Sequence, residues 1–144
     1  MNTLEIRLVT NTKELDQIYL IRTEVFVHEQ DVPKDLEFDG LDNESDHLIA
    51  TLNQQPVGCA RIRQIGKNKA KLERIAILKP YRNKGYGTDL TNYCINFCKT
   101  KHDTTLFLHA QTKVQKFYER FGFIEEGTIF QEAGITHIKM TKNI

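Results

Sequence analysis

The sequence predicts an α+β fold built as one layered domain over residues 1–144, and three observations carry that prediction. An apolar run, Leu72 to Leu78, passes through the turn Arg82-Asn83-Lys84-Gly85-Tyr86-Gly87 into a helical pattern of Leu90, Tyr93, Cys94, Phe97 and Cys98. Three short strand-like runs, His47–Leu52, Pro56–Gln64 and Lys71–Leu78, are separated by Asn53-Gln54-Gln55 and Gly66-Lys67-Asn68, which reads as an antiparallel meander. A chain of 144 residues is the size of one domain, and no composition shift or internal repeat divides it.

The elements follow in order. Leu4, Ile6 and Leu8 alternate with Glu5, Arg7 and Val9, which predicts a first strand over Thr3–Val9. Asn11 with Glu14 three residues on forms a capping box, and Leu15, Ile18, Tyr19, Val25 and Phe26 recur at helical spacing, so a helix is expected over Thr12–Val27. Gln30–Ser45 is acidic and turn-rich, either a solvated connector or a substrate-facing loop. Its acidic residues do not alternate as a calcium loop requires. After the meander, Pro80 ends the third strand and the glycine turn opens a long helix that closes on Lys99 and Lys101, basic residues that complement the helix dipole. Thr105–Ala110 then reads as a strand, Thr112–Phe121 as a helix, and Phe123–Phe130 with Thr136–Thr141 as a hairpin around Gly134. The order is β-α-β-β-β-α-β-α-β-β.

Composition narrows the function. Twenty basic residues against 19 acidic ones leave a formal charge of +1, which gives no electrostatic footprint for nucleic acid. No apolar run is long enough to span a bilayer, and Met1–Arg7 lacks a leader pattern, so a cytoplasmic protein without membrane contact is expected. Cys59, Cys94 and Cys98 fit a reducing compartment, and with no zinc spacing nearby they read as buried apolar residues; no metal is expected.

The glycine turn has the outline of a diphosphate site. A helix starting there leaves its first N–H groups unpaired, and glycines let an anion approach them. It is not a Walker A loop, which ends in Gly-Lys-Ser/Thr. Nor is it a Rossmann loop, which needs a third glycine where this chain has Leu90.

Arg82-x-x-Gly85-x-Gly87, following the strand Leu72–Leu78, resembles the Arg/Gln-x-x-Gly-x-Gly/Ala signature of the GNAT superfamily of N-acetyltransferases. Val25–Gln30 with Asp39-Gly40-Leu41-Asp42, and Glu132-x-Gly134-Ile135-x-His137-x-x-Met140, resemble its ElaA/YjcF-like branch. Ala110-Gln111 followed by Phe117–Phe123 resembles the C-terminal segment of these enzymes. The resemblance covers essentially the whole chain. It implies a three-layer α/β/α fold around a mixed, mostly antiparallel, twisted sheet, with acetyl-CoA as co-substrate and a small-molecule or peptide amine as acceptor. Transfer would be direct, within a ternary complex. A non-catalytic CoA-binding sensor or partner-binding module on the same fold is the alternative, and the oligomeric state, a homodimer included, is open.

By the same resemblance, Ile75, Ala76 and Ile77 offer backbone to the acetyl and pantetheine arm, while Arg82, Asn83, Lys84, Gly85, Tyr86, Gly87 and Thr88 hold the pyrophosphate. Gln111 and Lys116 are second contacts, and Tyr118 is the expected general acid at the departing thiolate, a role a phenol suits. Glu73, read by strand alternation as sharing a face with Ile75 and Ile77, is the expected base. The histone-modifying branch has its glutamate two residues earlier, where this chain has Lys71. Glu29, His109 and His137 are the alternatives, placed on the acceptor side.

Overall fold

The computed structural model describes residues 3–144; Met1 and Asn2, part of the segment read as lacking a leader, lie outside the described residues. In order run β1 (Leu4–Leu8), α1 (Thr12–Arg22) with a π-helical continuation (Thr23–Glu29), α2 (Lys34–Glu37), β2 (Asp46–Leu52), β3 (Gln55–Gln64) and β4 (Lys69–Ile77). Then come α3 (Tyr86–Thr100), β5 (Thr105–Gln111), α4 (Gln115–Glu119), β6 (Ile124–Glu132) and β7 (Ile135–Asn143). The order read from the sequence holds except for the short α2, which falls in the stretch read as a connector or loop. The first helix is longer than expected because the π segment carries it to Glu29, and the helix expected over Thr112–Phe121 is a 3₁₀ turn followed by the short α4.

Local chemistry explains the ends. Asn11 Oδ1 accepts from the Glu14 N–H at 2.8 Å and Asn11 Nδ2 donates back to Glu14 Oε1 at 3.2 Å, so the capping box forms. Ile18, Ile21 and Val25 of the first helix pack on Ile49, Cys59 and Ala76, while Leu90, Cys94, Ile95 and Cys98 of α3 pack on Leu72, Leu106, Leu108 and Met140. Each fully buried aliphatic side chain contributes about 1.5–3 kcal/mol, so these two layers clamp the sheet.

The seven strands lie in the order β1-β2-β3-β4-β5-β7-β6, antiparallel except for β4 and β5. Those two pair only at Lys69↔Thr105, Ala70↔Leu106 and Lys71↔Phe107. From Leu72 onward β4 parts from β5, and a wedge opens in the sheet.

β4 also carries a bulge. Cys59 pairs with Ala76 and Arg61 with Glu73, so Ala60 faces both Arg74 and Ile75, and Arg74 sits at φ +54°. The extra residue shifts the alternation. Leu72, Ile75 and Ile77 pack toward the α3 core, while Glu73 turns to the α1 side and pairs with Arg61. The expectation that Glu73 shares a face with Ile75 and Ile77 is therefore corrected. At the end of β4, Gly58 of β3 permits close approach: a Cβ there would lie 2.6 Å from Ile77 Cδ1 and 2.9 Å from the Ala76 carbonyl.

The acidic stretch 30–45 is in part a structural clamp, with Gln30 at its start lining a cavity. Glu37 is 2% exposed, and this segment folds back so that Glu37, Asp39 and Asp42 meet Arg22, Arg61 and Arg74. Among the described residues no helix is long and apolar enough to cross a membrane.

Candidate active site

The wedge between β4 and β5 ends at the Arg82–Thr88 loop. Arg82 Nε donates to the Ile77 carbonyl at 2.8 Å, which ties the loop to the strand, and Tyr81 and Tyr86 pack beside Ala50, Leu52 and Val57. Asn83 at φ +64° and Gly85 at φ +86° alternate left-handed residues with ordinary ones, so that successive N–H groups turn toward one side. Gly85 is the N-cap of α3 and supplies no side chain. Among the described residues no backbone or side-chain acceptor meets the N–H groups of Asn83 to Thr88. Orphan donors at a helix start form an anion cradle.

Arg82 is not idle beside it. Its guanidinium holds Glu29 in a two-pronged ion pair at 2.5 and 2.9 Å, which pulls the Glu29 carboxyl below its ordinary value. The sequence reading assigned these two residues to opposite substrates, and the fold joins them across 53 positions. Thr88 lines a groove of about 480 Å³ between α3 and α4 with Asn92, Arg120 and Lys142. Lys84 and Lys116 are exposed.

Tyr118 lies on α4 and packs against the core that α3 covers. Its ring packs edge-on against Phe117 at 5.0 Å and Phe123 at 6.1 Å, and Phe117 in turn comes within 3.6 Å of where a Cβ on Gly87 would stand. Burial, with Cys94 nearby, raises the phenol's pKa, so it is held in its protonated form. No hydrogen bond occupies its hydroxyl among the described residues.

Glu73 is placed differently from its expected role. Its two oxygens meet Arg61 at 2.7 Å, Arg63 at 2.9 Å and Lys71 at 3.1 Å. Burial alone would raise its pKa, but these cations prevail and bring it down to about 2. A carboxylate so engaged is a weak proton acceptor. Nor does it pair with its neighbour Arg74, which reaches Glu37 at 3.0 Å instead.

On the same face of the sheet, beyond β4, His109 of β5 and His137 of β7 converge on Glu132 of β6, at 3.2 Å and 3.7 Å. Glu132 belongs to a sequence stretch that carried the family resemblance, yet its side chain drew no assignment; the hairpin register that brings it opposite two histidines is a tertiary fact. Alongside, Glu29, Gln30, Gln111 and Ile135 line a cavity of about 380 Å³, with Gln111 Nε2 donating to Gln30 Oε1 at 2.8 Å. Burial pushes the Cys59 and Cys98 thiols up to about 12 and raises that of Cys94, so none is a ready nucleophile. Among the described residues no group of three or more His, Cys, Asp or Glu is placed to hold a metal.

The model of a GNAT acetyltransferase domain matches residues 9–144. The uncharacterized N-acetyltransferase YjcF of Bacillus subtilis (strain 168) is 35% identical over 134 residues, which cover 92% of this chain and 95% of YjcF. The crystal structure of Escherichia coli ElaA superposes with a TM-score of 0.86 at 26% identity, covering 99% of both chains. A GNAT acetyltransferase from Elizabethkingia anophelis, solved with acetyl-CoA bound, shares the fold at a TM-score of 0.77 and 19% identity, covering 98% of both chains.

Proposed function

The chain belongs to the GNAT family of acetyltransferases, and from that premise we propose that it moves the acetyl group of acetyl-CoA to a primary amine by direct transfer within a ternary complex. The observation that carries this reading is the cradle of unpaired N–H groups from Asn83 to Thr88, set at the far end of the wedge that opens where β4 leaves β5. Its concavity and positive dipole fit a pyrophosphate. The unpartnered edge of β4 at Ile75, Ala76 and Ile77 fits an extended amide-bearing arm, which would add to the sheet as a strand does. Lys99, Arg120 and Lys142 along the α3–α4 groove supply cations for further phosphate.

Acetyl-CoA brings an activated thioester, so the protein has to position it, exclude competing nucleophiles and manage two protons. Tyr118, kept protonated and with its hydroxyl unengaged, donates to the departing thiolate. Glu73 anchors Arg61, Arg63 and Lys71 rather than accepting a proton. The three high-pKa, buried cysteines support direct transfer over a covalent acetyl-enzyme. Glu29, Gln30 and Gln111 form the polar wall of the acceptor cavity, and Arg82 must exchange Glu29 for phosphate when the co-substrate enters.

The test is thiol release from acetyl-CoA across a panel of primary amines, from polyamines and aminoglycosides to lysine-bearing peptides. Turnover with at least one amine, matched by acetylated product, is the expected result. Tight CoA binding with silence across the panel would favour a sensor on the same fold.

A further inference from the structure

The acetyl-transfer reading leaves the acceptor's proton without a destination, because Glu73 is tied to three cations. Another group stands where such a destination is needed. His109 lies two residues past Phe107, the last β5 residue paired with β4, and so just inside the apex of the wedge. Leu108 and Ala110 on either side point into the α3 core, which turns His109 to the opposite, open face with Phe107 and Gln111.

The bonding of His109 fixes its chemistry. Nδ1 lies 3.2 Å from Glu132 Oε1, and an ionised carboxylate only accepts, so Nδ1 carries a hydrogen, and in the neutral ring Nε2 then bears the lone pair. Glu132's other oxygen faces His137 Nε2 at 3.7 Å, beyond hydrogen-bond reach, while His137 Nδ1 donates to the Ile135 carbonyl at 2.7 Å and the His137 ring stacks on Phe130 at 5.9 Å. Phe130 meets His109 edge-on at 5.0 Å and Phe107 tilts against it at 6.0 Å, so the imidazole is confined between two rings. The His109 contact also lowers the Glu132 pKa, which keeps the orienting group ionised. Nearest on this face are the ammonium groups of Lys69, Lys71 and Lys139, each 4.9 to 6.0 Å from the Phe107 ring centre, with the Glu73–Arg61–Arg63 cluster beyond them on the α1 side. Lys71 is engaged by Glu73 and Lys139 by Glu126.

We propose that His109, oriented by Glu132 and backed by His137, is the general base of the reaction, a reading that rests on the acetyl transfer inferred above. As the acceptor nitrogen bonds to the acetyl carbon and the carbon–sulfur bond breaks, the nitrogen's proton passes to His109 Nε2 and the thiolate takes the Tyr118 proton. The imidazolium, stabilised by Glu132, then loses its proton to water, and the phenolate regains one from water. His109 is the catalytic residue; Glu132 and His137 are positioning residues.

The experiment compares wild type, His109→Gln, Glu132→Gln and Glu132→Asp with an amine that the wild type acetylates. It measures kcat and KM against pH by thiol release and acetyl-CoA affinity by calorimetry. His109→Gln should lower kcat about 10²-fold and abolish the acid limb of the profile, with acetyl-CoA affinity within about twofold of wild type. Glu132→Gln removes the charge that favours imidazolium, so its acid limb should move to lower pH, and Glu132→Asp should restore part of the rate. An unchanged rate and profile in His109→Gln overturns the proposal while leaving acetyl transfer intact; wild type that binds acetyl-CoA but acetylates no amine overturns both. A readout free of turnover is nitrogen-resolved NMR of the imidazoles. Neutral His109 protonated at Nδ1 supports the dyad, and the Nε2–H form in folded wild type refutes it.

Discussion

One face of the sheet behaves in two ways on either side of the point where β4 and β5 part. Under α1, Arg22, Arg61 and Arg74 meet Glu37, Asp39, Asp42 and Glu73 in a clasp sealed by the acidic segment, with Arg22 0% and Arg61 1% exposed. Past the wedge, over β5, β7 and β6, the same face carries buried His137 and the part-exposed His109 and Glu132, whose side chains keep hydrogen-bonding capacity toward solvent. Both regions are rich in ionisable groups. The difference is that in the first every charge already has its partner, which suits holding a loop, whereas chemistry needs atoms still free to change partners.

The largest effect that sharpens this contrast is on the clasp. Arg61→Met strips a buried cation from Glu73, Asp39 and Asp42 and should cost about 3–5 kcal/mol in chemical denaturation, while the folded fraction still binds acetyl-CoA. A cost below about 1 kcal/mol would mean that the clasp is not a structural unit. Next comes Tyr118→Phe, which should lower kcat about 10²-fold with acetyl-CoA affinity retained; equal turnover would remove Tyr118 from its role.

The acid dependence of stability is smaller because two trends oppose. Glu73 falls from an ordinary 4.5 to about 2 on folding, so its contribution is complete above about pH 4.5 and is lost as the pH drops toward 2. Asp39 and Asp42, lowered by Arg61 and Arg22, act in the same direction, and Glu37, raised by its burial, acts against them. Denaturation midpoints should therefore decline between about pH 4.5 and 2, and decline less in Glu73→Gln; identical profiles would contradict the assignment. The smallest effect belongs to Gly85→Ala, where φ +86° imposes about 1–2 kcal/mol on a side chain and loosens the cradle. Weaker acetyl-CoA binding with little change in the clasp is the expected outcome.

What could be read from the sequence was local. The strand, glycine turn and amphipathic helix from Leu72 to Cys98 announce themselves because each signal lies within a few residues of the next, and the capping box at Asn11 and Glu14 is complete within one turn. The clasp was illegible because its partners are 12 to 37 residues apart and because a left-handed Arg74 shifts the strand's alternation, which moved Glu73 off the face expected for it. No periodicity encodes such a bulge in a non-glycine residue. The Glu132 contacts were hidden in the same way, since they depend on the register of the β6–β7 hairpin against β5.

The central claim is that the free amides of the α3 loop and of the β4 edge receive the co-substrate. Titrating isotope-labelled protein with acetyl-CoA while following its backbone amides tests it directly. The account expects saturable shifts largest at Asn83–Thr88 and Ile75–Ile77, with the clasp residues nearly still. Shifts centred elsewhere, or none at millimolar acetyl-CoA, would contradict it.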